Sequence, residues 1–160
     1  MPSVLGIDLS TKAVELVLLD ENENQAAWDH LELRGTDALE RLRDLPRRMP
    51  RWASRWYEDA GVYLVAIEAP YGRGQGGTEA KLNHVLGAVV ACVPPTVPIW
   101  LVAPHEYRAH LNLPGNAAKA LVRQAVLELG AHQEWAQDAC DALAVAHYAR
   151  DTNRRGLQAA

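Results

Sequence analysis

Cysteine is nearly absent. Cys92 and Cys140 are the only two in 160 residues, and neither belongs to a Cys-x-x-Cys pair or a Cys/His spacing that could cage zinc. A disulfide framework and a structural zinc site are both disfavoured, and a reducing cytoplasm is the expected compartment. Long apolar runs are missing as well: none reaches the ~18–20 residues that cross a bilayer. Met1-Pro2-Ser3 puts no basic residue before the first apolar stretch, so no signal peptide is expected. Glycines 72, 74, 76 and 77 are not followed by Gly-Lys-Ser/Thr, which removes a nucleotide P-loop. There is no internal repeat and no interdomain linker. Lysine is scarce, at three residues against thirteen arginines, and the formal net charge is −4. That acidic balance speaks weakly against nucleic acid as a partner.

What is present suits one folded domain. The chain is 49% hydrophobic and 22% charged, enough apolar matter for a real core and too little length for two full domains. Val4 to Ile7, ending at Asp8, reads as a strand, and Val14 to Leu19 as a second, joined by a turn to make a hairpin. Ala27 to Leu33 alternates and suits a third, edge strand. Thr36 is placed to cap a helix from Asp37, which Pro46 and Pro50 interrupt, leaving a second short helix over Trp52 to Asp59. Val62 to Ile67 is the clearest buried strand and ends at Glu68. Residues 79–93 carry Leu82, Val85, Leu86, Val89, Val90 and Val93 at helical spacing. Ile99 to Val102 is a fifth strand, Pro104 opens a short helix to about Leu111, Asn116 is placed to cap the next, and a last helix runs from Ala136 to Arg150. Residues 1–151 form the domain and 152–160 a frayed tail. The order predicts an α/β fold: a five-stranded mixed sheet, three antiparallel strands leading and two parallel ones following, flanked by helices.

Four carboxylates stand where charge is most expensive. Asp8 and Glu68 end the two apolar strands, and Asp138 and Asp141 lie three residues apart in the first turn of the last helix, on one side of it. Each alone has a plainer role, as a turn residue or a helix N-terminal acid. Together, with the first and fourth strands as neighbours, they converge. Clustered carboxylates repel, and a hard divalent cation relieves that repulsion. A pair of such ions can activate water and stabilise the leaving oxygen in phosphodiester hydrolysis.

The same residues carry a resemblance. Leu5-Gly6-Ile7-Asp8-Leu9-Ser10-Thr11 resembles the opening strand motif of the RuvC family of Holliday junction resolvases, and Ala66-Ile67-Glu68-Ala69-Pro70-Tyr71 resembles its second acidic motif. Pro104 to Arg108, followed by Gly115 to Lys119, resembles its basic region, and Asp138-Ala139-Cys140-Asp141-Ala142 its closing motif. The match runs in order through nearly the whole chain. It implies an RNase H-like fold, a homodimer, and Mg²⁺-dependent nicking of four-way DNA junctions at symmetric positions, leaving 5′-phosphate and 3′-hydroxyl ends. Two Mg²⁺ per site are expected, with Mn²⁺ able to substitute. Asp8, Glu68, Asp138 and Asp141 would bind metal and Lys119 would contact the scissile phosphate. Tyr71 would stack on a junction base, and Arg108 stands near a position where the family often has Lys. Ala69 stands where the family often has Gln, a departure that bears on junction opening and sequence preference. The family does not fix a helicase partner for this chain. Rival readings are a related nuclease for forks, flaps or viral replication intermediates, and a non-catalytic junction binder. Gly6 to Thr11 also resembles the phosphate-binding opening of sugar kinases, a fold that needs two such domains.

Other features stay open at this level. Gly72 to Gly77 is either an ordinary mobile loop or one carrying Tyr71 and Arg73 to DNA. Asn83, Gly87 and Ala91 give the 79–93 helix a small-residue face for intramolecular packing or, given the resemblance, a dimer interface. Arg123 is one turn from Lys119 and is a candidate DNA contact by proximity. Seven arginines between Arg34 and Arg55 make a solvated helix face or a phosphate-contacting one. The histidines, Cys140 and the tryptophans Trp52, Trp56, Trp100 and Trp135 read as packing or surface residues. Once four acids are set aside as a metal site, the remaining acids equal the sixteen basic residues. The net charge then reflects the site itself, and DNA binding would rest on where Arg and Lys cluster, with steep salt dependence.

Overall fold

Alternation along the first strand sorts the core into two clusters, one on each face of the sheet. The computed structural model describes residues 2–21, 26–70 and 77–158, with backbone alone over 50–59. Its elements are β1 (Ser3–Leu9), β2 (Ala13–Asp20), β3 (Ala26–Glu32), α1 (Ala38–Asp59), β4 (Val62–Glu68), α2 (Thr78–Val90), β5 (Ile99–Val102), α3 (Pro104–His110), α4 (Lys119–Glu128) and α5 (Gln137–Gln158). The sheet order is β3-β2-β1-β4-β5. The first three strands pair antiparallel, and β4 and β5 run parallel to β1. This is the mixed sheet that the order of apolar segments predicts.

Val4, Val17, Leu19, Leu64, Ala66 and Val102 face α4 and α5, where they pack with Tyr107, Val122, Val126 and the apolar body of α5. Leu5, Ile7, Val14, Leu16, Val65 and Ile67 face the other way, against Leu45 and Met49 of α1 and Val85 and Val89 of α2. Side chains on a strand alternate between faces. Asp8 and Glu68 therefore follow Gly6 and Ala66 onto the α5 face.

Gly6 sets how closely α5 approaches. A Cβ built there would lie 2.1 Å from the Ala142 carbonyl oxygen and 2.8 Å from the Ala146 Cβ. Only a residue without a side chain fits between β1 and the helix. Gly6→Ala is expected to push α5 off the sheet and cost about 1–3 kcal/mol, the range for overpacking a filled core. A lowered urea midpoint with unchanged m-value is the measurement.

Three local expectations change. The backbone of α1 continues through Pro46 and Pro50, where the sequence predicts a break. Each proline forfeits one intrahelical bond, and burial of Leu45 and Met49 anchors the helix across the first of them. Helix α4 begins at Lys119 with extended Ala118 as its cap and no side-chain capping bond; Asn116 instead lies in the Pro114–Ala117 turn. Residues 152–158 are helix rather than a frayed tail, tied back where Arg154 Nε donates to Glu21 at 2.6 Å. Among the described residues no helix is long and apolar enough to cross a membrane.

Candidate active site

Parallel pairing places the ends of β1 and β4 side by side. Ile7 is level with Ile67, so Asp8 and Glu68 emerge together one residue further on. The first turns of α5 lie above them. Asp8, Glu68 and Asp141 each offer a carboxylate oxygen within 4.8 Å of the others. Asp8 and Glu68 are partly buried and Asp141 is buried. The cleft has a volume of about 350 Å³, and Ser10, Thr11, Pro70, Thr78, Leu82 and Lys119 contribute to its walls.

Each carboxylate is oriented by a neighbour. Asp8 Oδ1 accepts the Leu9 backbone N–H at 2.8 Å, and Gln137 Nε2 donates to Asp141 Oδ1 at 3.2 Å. The hydroxyl of fully buried Tyr107 reaches Glu68 Oε1 at 3.5 Å. Lys119 Nζ bridges the two helix acids, 2.9 Å from Asp138 Oδ1 and 3.0 Å from Asp141 Oδ2.

The charges are under strain. Burial, then repulsion from Glu68, Asp141 and Asp138, raises the Asp8 pKa well above the ordinary carboxyl range. Burial and the Asp141 charge push Glu68 up to about 7. Burial also raises Asp141, against the pull of Lys119. Burial works to lower the Lys119 pKa, but the two carboxylates overcome it and hold the ammonium above its ordinary value. Three desolvated carboxylates sharing one cation are an oxygen-donor set short of positive charge, which fits a hard divalent ion such as Mg²⁺ or Mn²⁺.

The structure thus brings together Asp8, Glu68, Asp141 and Lys119. Asp138 stands at the rim, about half exposed, holding Lys119 rather than joining the triad. Arg108 Nη1 donates to the Gly115 carbonyl at 2.8 Å, and its guanidinium lies 5.7 Å from the Tyr107 ring centroid. Arg123 lies against the start of α5. Its guanidinium donates to the backbone carbonyls of Trp135 and Gln133 and approaches Cys140 Sγ at 3.6 Å. It ties down the chain leading into α5, engaging Nη1 and one N–H of Nη2 there. Tyr71, Arg73 and the rest of the glycine loop through Gly76 lie outside the described residues.

Two contributors escape the sequence reading. Tyr107 sits inside a quoted motif but gives no signal that its hydroxyl meets Glu68. Gly6 has a readable signal: a small residue stands two positions before each strand acid, Gly6 before Asp8 and Ala66 before Glu68, on the same face. That spacing marks where a helix comes down onto the sheet. Of the residues offered as packing, Trp135 is buried in the core with Trp28 at 6.0 Å between ring centroids, and Cys140 and His147 are buried.

A mixed five-stranded sheet, with an acid at the end of each of two adjacent parallel strands and a third on the helix above them, matches the RNase H-like class of folds. Solved structures that resemble this chain over nearly its full length include Holliday junction resolvases. RuvC of Thermus thermophilus aligns at a TM-score of 0.78 and 22% identity over 96% of each chain. T. thermophilus RuvC in complex with Holliday junction substrate aligns at 0.78 and 21% identity, over 98% of this chain and 97% of that one. The yeast mitochondrial Holliday junction resolvase Ydc2 aligns at 0.58 and 15% identity, over 96% of this chain and 83% of that one. No family model and no curated protein sequence matches the chain. The likeness is one of fold, and it is the fold expected from the motifs.

Proposed function

We propose that the chain is a metal-dependent endonuclease that resolves four-way DNA junctions by paired nicks, acting as a homodimer. The observation that carries this reading is the convergence of Asp8, Glu68 and Asp141 beneath α5, in a fold shared with Holliday junction resolvases. Asp8, Glu68 and Asp141 would hold Mg²⁺ or Mn²⁺, with Asp138 completing the set from the rim. A divalent ion bound there supplies Lewis-acid polarisation of the phosphate and lowers the pKa of the attacking water. The chain's own residues do the rest. The Leu9 N–H, Gln137 and Tyr107 fix the carboxylates in their orientations. Lys119, at the lip, can exchange its exposed bond to Asp138 for a phosphate oxygen while keeping its bond to Asp141. Hydrolysis in this arrangement leaves 5′-phosphate and 3′-hydroxyl ends. Arg108 adds positive charge near Glu68, and Tyr71 and Arg73 are proposed to reach the DNA from the glycine loop. The expected setting is the cytoplasm of a bacterial cell, or of the host if the gene belongs to a phage.

The test is cleavage of a synthetic four-way junction with Mg²⁺, beside a fork, an RNA–DNA hybrid and a linear duplex. Paired nicks at related positions in opposed strands of the junction are expected. Equal cleavage of the fork would move the chain to a nuclease of broader branched substrates, and binding without cleavage would make it a junction-binding protein.

The dimer is assigned to α2. Gly87 faces open space, with nothing within 4 Å of a built Cβ, and Asn83, Val90 and Ala91 beside it are exposed. Light scattering at micromolar concentration is expected to give twice the chain mass, and Gly87→Glu to give monomers. A wild-type mass of one chain would remove this assignment.

A further inference from the structure

Beside the catalytic cleft lies a second groove, between α1 and α2, of about 270 Å³. Its walls are Thr11, Ala38, Arg41, Leu42, Lys81, His84 and Val85. Among the described residues no acidic side chain lines it, in contrast to the cleft, which Asp8, Glu68 and Asp138 line. Thr11 lines both, so the two are neighbours at the β1–β2 hairpin. Helix α2 forms the partition: Thr78 and Leu82 face the cleft, and Lys81, His84 and Val85, one helical step round, face the groove. Arg41 is already set in place, its Nη1 donating to the Thr11 carbonyl at 3.4 Å and its Nε to the Gly35 carbonyl at 3.3 Å. Lys81 is exposed and has no ion-pair partner among the described residues.

We infer that this groove binds a phosphate of the DNA strand that enters the cleft, flanking the phosphate to be cleaved. The inference rests on the endonuclease reading and adds to it a strand-positioning site. A chain of phosphates crossing an acidic centre needs cationic contacts on either side of it. Lys119 supplies one at the α4–α5 lip, and the groove supplies Lys81 and Arg41 on the α2 side. Lysine and arginine serve differently here. The Lys81 ammonium is a mobile point charge for phosphate, while the Arg41 guanidinium keeps spare donors after bracing the hairpin. The shared Thr11 couples the two sites, because the hairpin that Arg41 braces also walls the cleft.

The experiment measures binding of metal-free wild type and Lys81→Gln to a four-way junction as a function of salt. It is repeated with junctions carrying a neutral methylphosphonate at single positions around the cleavage site. Losing one phosphate contact on duplex arms lowers the slope of log K against log salt by about 0.9. Lys81→Gln is expected to show that drop, and one methylphosphonate position is expected to weaken wild type while leaving Lys81→Gln unaffected. Arg155→Gln, on the last turns of α5 away from the groove, is the comparison and is expected to keep the wild-type slope. An unchanged slope in Lys81→Gln, or equal cost of every methylphosphonate in both proteins, overturns the groove while leaving the nuclease reading intact. That result would also follow if the groove served an acidic protein segment instead. A slope drop in a protein that prefers linear duplex over the junction upholds the groove and overturns the junction reading. Wild type that binds no DNA overturns both.

Discussion

Asp8→Asn is expected to lose junction cleavage by about 10³-fold, to keep junction binding, and to be more stable than wild type without metal. The first effect follows from the donor set. Asp8 is the member of the triad that the other carboxylates press on hardest, since Glu68, Asp141 and Asp138 all act to raise its pKa. An amide removes one anionic ligand and leaves a neutral oxygen. Metal ions contribute several kcal/mol of charge stabilisation in such reactions, and each 1.36 kcal/mol is tenfold in rate. Binding should survive because phosphate contacts carry it and Asp8 repels phosphate. The third effect separates a metal site from a merely structural acid. The substituted side chain would keep an oxygen to accept the Leu9 N–H and lose the charge that burial and repulsion penalise. The gain would appear as a higher metal-free Tm above neutral pH, each kcal/mol being worth roughly 2–4 °C for a chain of this size. Cleavage near the wild-type rate, or a variant less stable than wild type without metal, would remove Asp8 from the proposed role.

How much of this was legible follows from what each signal measures. Strand periodicity is a local property, so β1, β2, β4 and β5 and the two acids that end β1 and β4 stand out in the chain. An acid closing an apolar strand is conspicuous because its burial is so costly. The adjacency of β1 and β4 is a statement about topology, and the alternation of strands and helices makes it natural. The difference between Asp138 and Asp141 is another matter. Three residues apart, they sit about 60° from each other around the helix, and only the rotation of α5 on the sheet decides which one turns inward. That rotation is set by Gly6 under Ala142, a contact between residues 136 positions apart. Arg123 illustrates a second blind spot. Its partners are backbone carbonyls at Gln133 and Trp135, and every residue has a carbonyl, so no pattern of side chains announces the bond. Helix α1 is a third. Proline cost is written in the sequence, while the burial of Leu45 and Met49 that outweighs it is written only in the packing. The arginines of that segment divide in the same way. Arg43 and Arg47 are exposed on the helix and Arg34 is exposed before it, whereas Arg41 and Arg48 donate to backbone carbonyls of Thr11 and Glu32.

Metal-free wild type is expected to lose stability as pH rises above about 6.5, and millimolar Mn²⁺ or Mg²⁺ is expected to restore it. The sign follows from proton linkage. Glu68 titrates near 7 in the fold against an ordinary value of 4.5, so the native state holds its proton where the unfolded chain has released it. Such a group contributes stability that is complete below the unfolded pKa and is lost as pH climbs through the folded one. Asp8 and Asp141 are raised as well and act in the same direction. His147 opposes them lower down. Burial, reinforced by the Arg150 charge, depresses it to about 4 from 6.5, so its contribution grows between those values and is complete above 6.5. The two trends offset one another in the acid range, and the carboxylates act alone above it. At 1.36 kcal/mol per unit, the Glu68 shift is worth about 3 kcal/mol, lost between its unfolded value of 4.5 and its folded value near 7, or roughly 6–12 °C in Tm. A divalent ion competes with protons for the same oxygens and binds only the assembled site, so its stabilisation should grow across that pH range. Glu68→Gln isolates the term: its metal-free Tm should exceed that of wild type at pH 8, the two should converge near pH 5, and its response to Mn²⁺ should shrink. Parallel pH profiles for the two proteins, or a wild-type melting curve indifferent to Mn²⁺ at pH 8, would mean that the strain between these carboxylates is not there for a metal to relieve.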